Sequence, residues 1–110
     1  MPKTLKFESK LVPLILSGKK TATWRFGHDE LRVGDSVDLC DSGTGKKFVT
    51  TKITEIFEKR FKDLTEADKI GHEKYSSDEE MFATFAKYYK TEVDQDHCVR
   101  VIKFELAKPS

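Results

Sequence analysis

Cysteine is nearly absent from this chain: Cys40 and Cys98 are the only two among 110 residues, and they form no C-x-x-C pair. That leaves no framework for a disulfide-stapled fold and no paired-ligand spacing for zinc, so two buried free thiols are expected. Long apolar runs are missing as well. None approaches the roughly 20 residues of a membrane span, and Met1-Pro2-Lys3-Thr4 is followed by no signal-peptide core, which predicts a cytoplasmic protein without membrane attachment. Nor is there an excess of one charge, since the net value is only +1. Internal repeats, linkers and low-complexity tracts are also lacking, so residues 1–110 are expected to form a single domain and a monomer.

What the chain does contain is bulk and charge: hydrophobic residues make up 37% and charged residues 35%, with eight Phe and one Trp to fill a core. The near-zero net charge conceals an asymmetry. Residues 1–62 carry 13 Lys/Arg against 8 Asp/Glu, and residues 63–110 carry 7 against 11. A basic half of this kind suits a phosphate-bearing partner. A surface that mixes signs once folded is the alternative reading.

Period-2 alternation predicts strands at Thr4–Glu8, Thr21–Arg25, Ser36–Cys40, Phe48–Phe57 and Cys98–Leu106. In the fourth, the apolar phase shifts between Ile53 and Ile56. In the fifth it slips near Val101 and Ile102, so a β-bulge is expected in each. Between the first two strands, Leu11, Leu14 and Ile15 share a helical face, with Ser9 as the expected N-cap and Gly18 as terminator. Leu64–Gly71 and Ser77–Lys90 read as helices, the second opening with Ser77 and Glu80 in capping-box spacing. The expected fold is therefore α+β: a small mixed β-barrel with a short N-terminal helix and a two-helix insertion before the last strand.

The segment Leu16-Ser17-Gly18-Lys19-Lys20-Thr21-Ala22-Thr23-Trp24-Arg25 concentrates cationic donors where a helix ends and a strand begins. Alternation places Thr21, Thr23 and Arg25 on one strand face and turns Ala22 with Trp24 away from them. Lys20 has the opposite parity to Thr23. The two can act together only if Lys20 lies in the turn before the strand or a bulge intervenes. A solvated basic turn followed by an ordinary edge strand is the bland reading of the same residues.

The G-K-K-T-x-T-x-R pattern at Gly18–Arg25, with the R-x-G-D turn at Arg32–Asp35, resembles the signature of the ASCH domain family. The resemblance spans nearly the whole chain and implies a PUA-like fold and an association with RNA or a modified nucleoside. It is nearest to small bacterial ASCH enzymes that hydrolyse the amide of N4-acetylcytidine. By motif position it implies Lys20 as base, Thr23 as nucleophile and, with a one-residue insertion after Leu64-Thr65-Glu66, Glu73 as acid. Strict spacing would place His72 there instead. Lys19, Thr21 and Arg25 are the expected substrate-binding residues. A binding module in which no bond is broken remains open beside the amidohydrolase, as does RNA cleavage. No cofactor is implied. His28, His72 and His97 with the two cysteines lack metal-ligand spacing. Tyr88 and Tyr89 read as helix packing, with a rim contact as the lesser reading.

Overall fold

The computed structural model describes residues 3–28, 30–72 and 74–107. Five strands build one mixed sheet in the order β1-β3-β4-β5-β2. The strands are β1 (Lys3–Phe7), β2 (Ala22–Arg25), β3 (Ser36–Asp41), β4 (Lys47–Arg60) and β5 (Cys98–Leu106), with helices α1 (Val12–Leu16) and α2 (Asp78–Tyr89). β1 runs parallel to β3, and every other pairing is antiparallel. The sheet curls into a half-barrel whose two edge strands, β1 and β2, face one another across an open seam.

The curl comes from two irregularities on β4. Its register against β5 shifts between Ile53 and Glu55, where the alternation of the sequence changes phase. A second shift, opposite Leu39 and Cys40 of β3, left no trace in the apolar pattern. The expected bulge in β5 is absent: its pairing is continuous from Cys98 to Leu106. Val101 and Ile102 are both buried because both faces of β5 are covered. Ile102 joins the inner cluster with Leu5, Phe7, Ile15, Leu39, Ile53 and Phe104. Val101 joins an outer cluster with Trp24, Phe61, Met81, Phe85 and Val99, beneath α2.

The N-terminal helix begins with a 3-10 turn over Ser9–Leu11, takes Pro13 in its first turn and ends before Gly18, whose φ is +81°. Ser9 does not cap it; its hydroxyl donates to Asp41 Oδ1 at 2.6 Å instead. α2 starts as expected, with Ser77 Oγ accepting from the Glu80 N–H at 3.1 Å. The first helix of the expected pair is not formed. Phe61–Asp63 makes a 3-10 turn and the following residues through Gly71 make only turns. Thr65 and Asp68 do exchange side-chain caps, at 3.0 and 3.1 Å, but one turn later Gly71 takes φ +86° and stops propagation. The cysteines are free, yet Cys40 is half-buried and Cys98 exposed, which corrects the expectation of two buried thiols. Cys98 sits at the very start of β5, before both faces are covered. Among the described residues no helix is long and apolar enough to cross a membrane.

Candidate functional site

The seam between β1 and β2 widens into a cleft of about 260 Å³. Lys20 ends the approach to β2 but precedes the strand itself, which begins at Ala22. This position resolves the parity conflict. Backbone N–H groups of Lys19 and Lys20 both donate to the Leu14 carbonyl, at 2.9 and 3.0 Å, and hold the turn tight after α1. The Lys20 side chain then enters the cleft alongside Thr23 and Arg25. Lys20 is 3% exposed and Thr23 4%, unusual burial for a lysine. A buried amine needs a partner, and Lys20 Nζ donates to the Ala22 carbonyl at 2.7 Å. It lies 6.0 Å from the centroid of the Phe7 ring.

Arg25 ties the site together. Its Nε donates to Thr23 Oγ1 at 3.0 Å, and its Nη2 reaches across the seam to the Lys6 carbonyl at 2.6 Å. The guanidinium lies over Phe7, 4.7 Å from the ring centroid. Opposite these residues the wall is aromatic, formed by Trp24, His72, Tyr75 and Tyr88. Tyr89 closes one end: its ring stacks on Phe26 at 4.3 Å and its hydroxyl accepts from the Phe26 N–H at 3.3 Å. Tyr88 stands 58% exposed at the rim. Ser42 reaches the cleft from the β3–β4 loop, where its N–H donates to the Phe7 carbonyl at 2.8 Å. That loop is braced by Asp41, whose carboxyl is held below the usual aspartate range, first by the Ser9 hydroxyl and then by the Gly43 N–H. Among the described lining residues, Lys6, Lys20 and Arg25 stand against the single carboxylate of Glu8.

The structure thus brings Lys20, Thr23 and Arg25 together. It does not bring Lys19 or Thr21 into the cleft: both are exposed and neither lines it. Thr21 instead packs against Gly71, and its N–H donates to the Gly71 carbonyl at 2.8 Å. Glu73 lies outside the described residues. Trp24 is on the strand face opposite Thr23, as alternation requires, and is 4% exposed. Trp24 nevertheless borders the cleft as well, since it lies on the short edge strand beside it. Phe7, Tyr75 and Ser42 were not singled out from the sequence. Phe7 carries only the signal of an apolar strand position, and Tyr75 and Ser42 carry none. Among the described residues no group of three His, Cys, Asp or Glu side chains converges in a way that could hold a metal.

A curled mixed sheet with a basic seam and the Gly18–Arg25 pattern at its edge defines an ASCH domain. The sequence matches the ASCH domain family over residues 3–108, and the chain belongs to that family. Solved structures share the fold. Protein EF3133 from Enterococcus faecalis superposes with a TM-score of 0.79 at 19% identity, over 97% of this chain and 80% of that one. An ASCH domain from Lactobacillus crispatus gives 0.70 at 14% identity, over 94% and 79%. ASCH from Zymomonas mobilis gives 0.65 at 12% identity, over 93% and 65%. No curated protein matches the sequence.

Proposed function

We propose that the seam cleft binds RNA or a modified nucleoside, taking a base between its aromatic walls. The observation that carries this reading is the convergence of Lys20, Thr23 and Arg25 in a pocket that several aromatic residues also line. Apolar faces such as Phe7, Trp24 and Tyr88 suit the faces of a planar heterocycle, while fixed donors suit its polar edge and the sugar. Among the described lining residues, three cations against one carboxylate favour a phosphate-bearing or electron-rich ligand.

The hydrogen bond from Arg25 to Thr23 favours a second reading, the hydrolysis of N4-acetylcytidine. Because Thr23 Oγ1 accepts from Arg25, its own proton is directed elsewhere, and the guanidinium is placed to stabilise developing negative charge on oxygen. In this reaction Thr23 Oγ attacks the acetyl carbonyl carbon as its proton passes to Lys20 in the free-amine form. Collapse of the tetrahedral adduct breaks the C–N bond, and the exocyclic nitrogen leaves with a proton from an acid, the role that the family resemblance gives to Glu73. Water then cleaves the threonyl ester, releasing acetate and returning the proton balance.

Incubation of the purified protein with N4-acetylcytidine, following cytidine release, separates the two. An amidohydrolase loses turnover with Thr23→Ala and with Lys20→Ala, and the double variant is scarcely worse than either, since groups acting as one unit are non-additive. Binding without turnover by the wild type selects the binding module. Binding that survives Lys20→Ala, Thr23→Ala and Arg25→Ala alike overturns the cleft reading altogether.

A further inference from the structure

Behind the cleft lies a second, larger cavity of about 730 Å³, and three residues line both: Trp24, His72 and Tyr75. These three residues border both spaces. Trp24 and His72 stack with centroids 3.9 Å apart and planes within 17°. Tyr75 tilts against both, 6.3 Å from Trp24 and 5.9 Å from His72. The wall is rigid on one side and loop-borne on the other. Trp24 is fixed on β2 opposite Val101 of β5 and packs in the outer core. His72 and Tyr75 ride on the turn after Gly71, which is pinned to β2 because the Gly71 carbonyl accepts from both Thr21 N–H and Ala22 N–H, at 2.8 and 3.2 Å.

We propose that this ring partition sets the size limit of the cleft, with His72 as the specificity-determining residue that stops a substituent on the bound base from extending into the cavity behind. The inference rests on the nucleoside reading of the cleft. With the acyl carbonyl of the bound base set against Thr23 and Arg25, the acyl chain beyond it runs towards the partition. A short acyl group fits on the near side, whereas a bulky one meets the stacked rings. Removing the imidazole is expected to join the two spaces, since among the described residues no other ring stacks on Trp24 at that distance.

The test is a calorimetric titration of wild type, His72→Ala and Tyr75→Ala with N4-acetylcytidine and N4-benzoylcytidine. Both substitutions lie outside the sheet, and circular dichroism of each variant checks that it folds. Wild type is expected to prefer the acetyl compound by roughly tenfold or more, the discrimination that steric exclusion from a pocket gives. In His72→Ala the ratio should fall to within about threefold, and Tyr75→Ala should move it in the same direction by less. The ratio is the readout, because a general loosening of the cleft weakens both ligands together. An unchanged ratio in His72→Ala, with acetylcytidine still bound, overturns the partition while leaving the cleft reading intact. No binding of either nucleoside to any of the three proteins overturns both.

Discussion

Gly71→Ala is the perturbation whose cost the structure defines most closely. Gly71 has φ +86°, and a Cβ placed on it would lie 2.1 Å from Thr21 Oγ1 and 3.3 Å from Thr21 Cβ. The variant has two ways out. If the turn stays docked, the left-handed conformation costs about 1–2 kcal/mol for a residue with a Cβ, and displacing the Thr21 hydroxyl adds to it. If the turn lets go, the hydrogen bonds from Thr21 and Ala22 are lost, at about 1 kcal/mol net each, together with a Trp24–His72 stack of about 0.5–1.5 kcal/mol. The routes are of similar height, so destabilisation of about 2–3 kcal/mol is expected whichever is taken, a drop in Tm of roughly 10 °C. Urea unfolding gives the total. A cycle with Thr21→Ala isolates the clash, and Gly71→Ala should cost about 1 kcal/mol less in that background, because the backbone penalty and the Thr21 Cβ contact remain. Emission from the sole tryptophan reports which route is followed, since Trp24 changes surroundings only if His72 leaves it. A Gly71→Ala protein within about 0.5 kcal/mol of wild type, or an absence of relief from Thr21→Ala, would refute the reasoning.

The other predictions concern charge. RNA affinity should fall with added salt, and Lys19→Ala should flatten that dependence while sparing nucleoside binding, because Lys19 is exposed and lines no part of the cleft. Arg25→Ala should weaken both ligands; equal effects of the two variants on a free nucleoside would contradict the placement of Lys19. Asp68 is held below the usual aspartate range, chiefly by its hydrogen bond from Lys59 and then by the Thr65 N–H. A folded-state value lowered in this way gives stability that is complete above the ordinary aspartate range and is lost as pH falls through the folded value. Asp68→Asn should therefore flatten the loss of stability below about pH 4, read from urea midpoints at pH 7 and pH 3. An identical acid loss in variant and wild type would dismiss the effect.

Local rules that depend on few residues were legible in the sequence, and those that depend on tertiary cover were not. Ser77 capping Glu80, and the β4 bulge announced by the phase change between Ile53 and Ile56, follow from neighbours in the chain alone. The slip at Val101 and Ile102 has the same appearance in sequence but a different cause, a strand buried on both faces, which alternation cannot distinguish from a bulge. The Leu64–Gly71 helix was expected because its start signal is real: Thr65 and Asp68 do cap one another. The helix does not propagate because its first turn gives way to the left-handed Gly71, which docks against β2 through its carbonyl. In the cleft, Lys20, Thr23 and Arg25 lay within eight residues and could be found together. The aromatic wall could not, since Phe7, Trp24, Tyr75 and Tyr88 meet only through the curl of the sheet.

The pairing of β2 with β5 sets when in the life of the chain the cleft can exist. Thr23 stands opposite Ile102 and Trp24 opposite Val101, so the strand that carries Thr23 and Arg25 is held by a strand made much later. On the ribosome, Lys20, Thr23 and Arg25 emerge early and have no partner strand until residues 98–106 follow. Until then the outer cluster around Trp24 lacks Val99 and Val101. A nascent chain therefore carries every letter of the Gly18–Arg25 pattern before the seam cleft is assembled. The cleft is completed late, when β5 takes its place between β4 and β2.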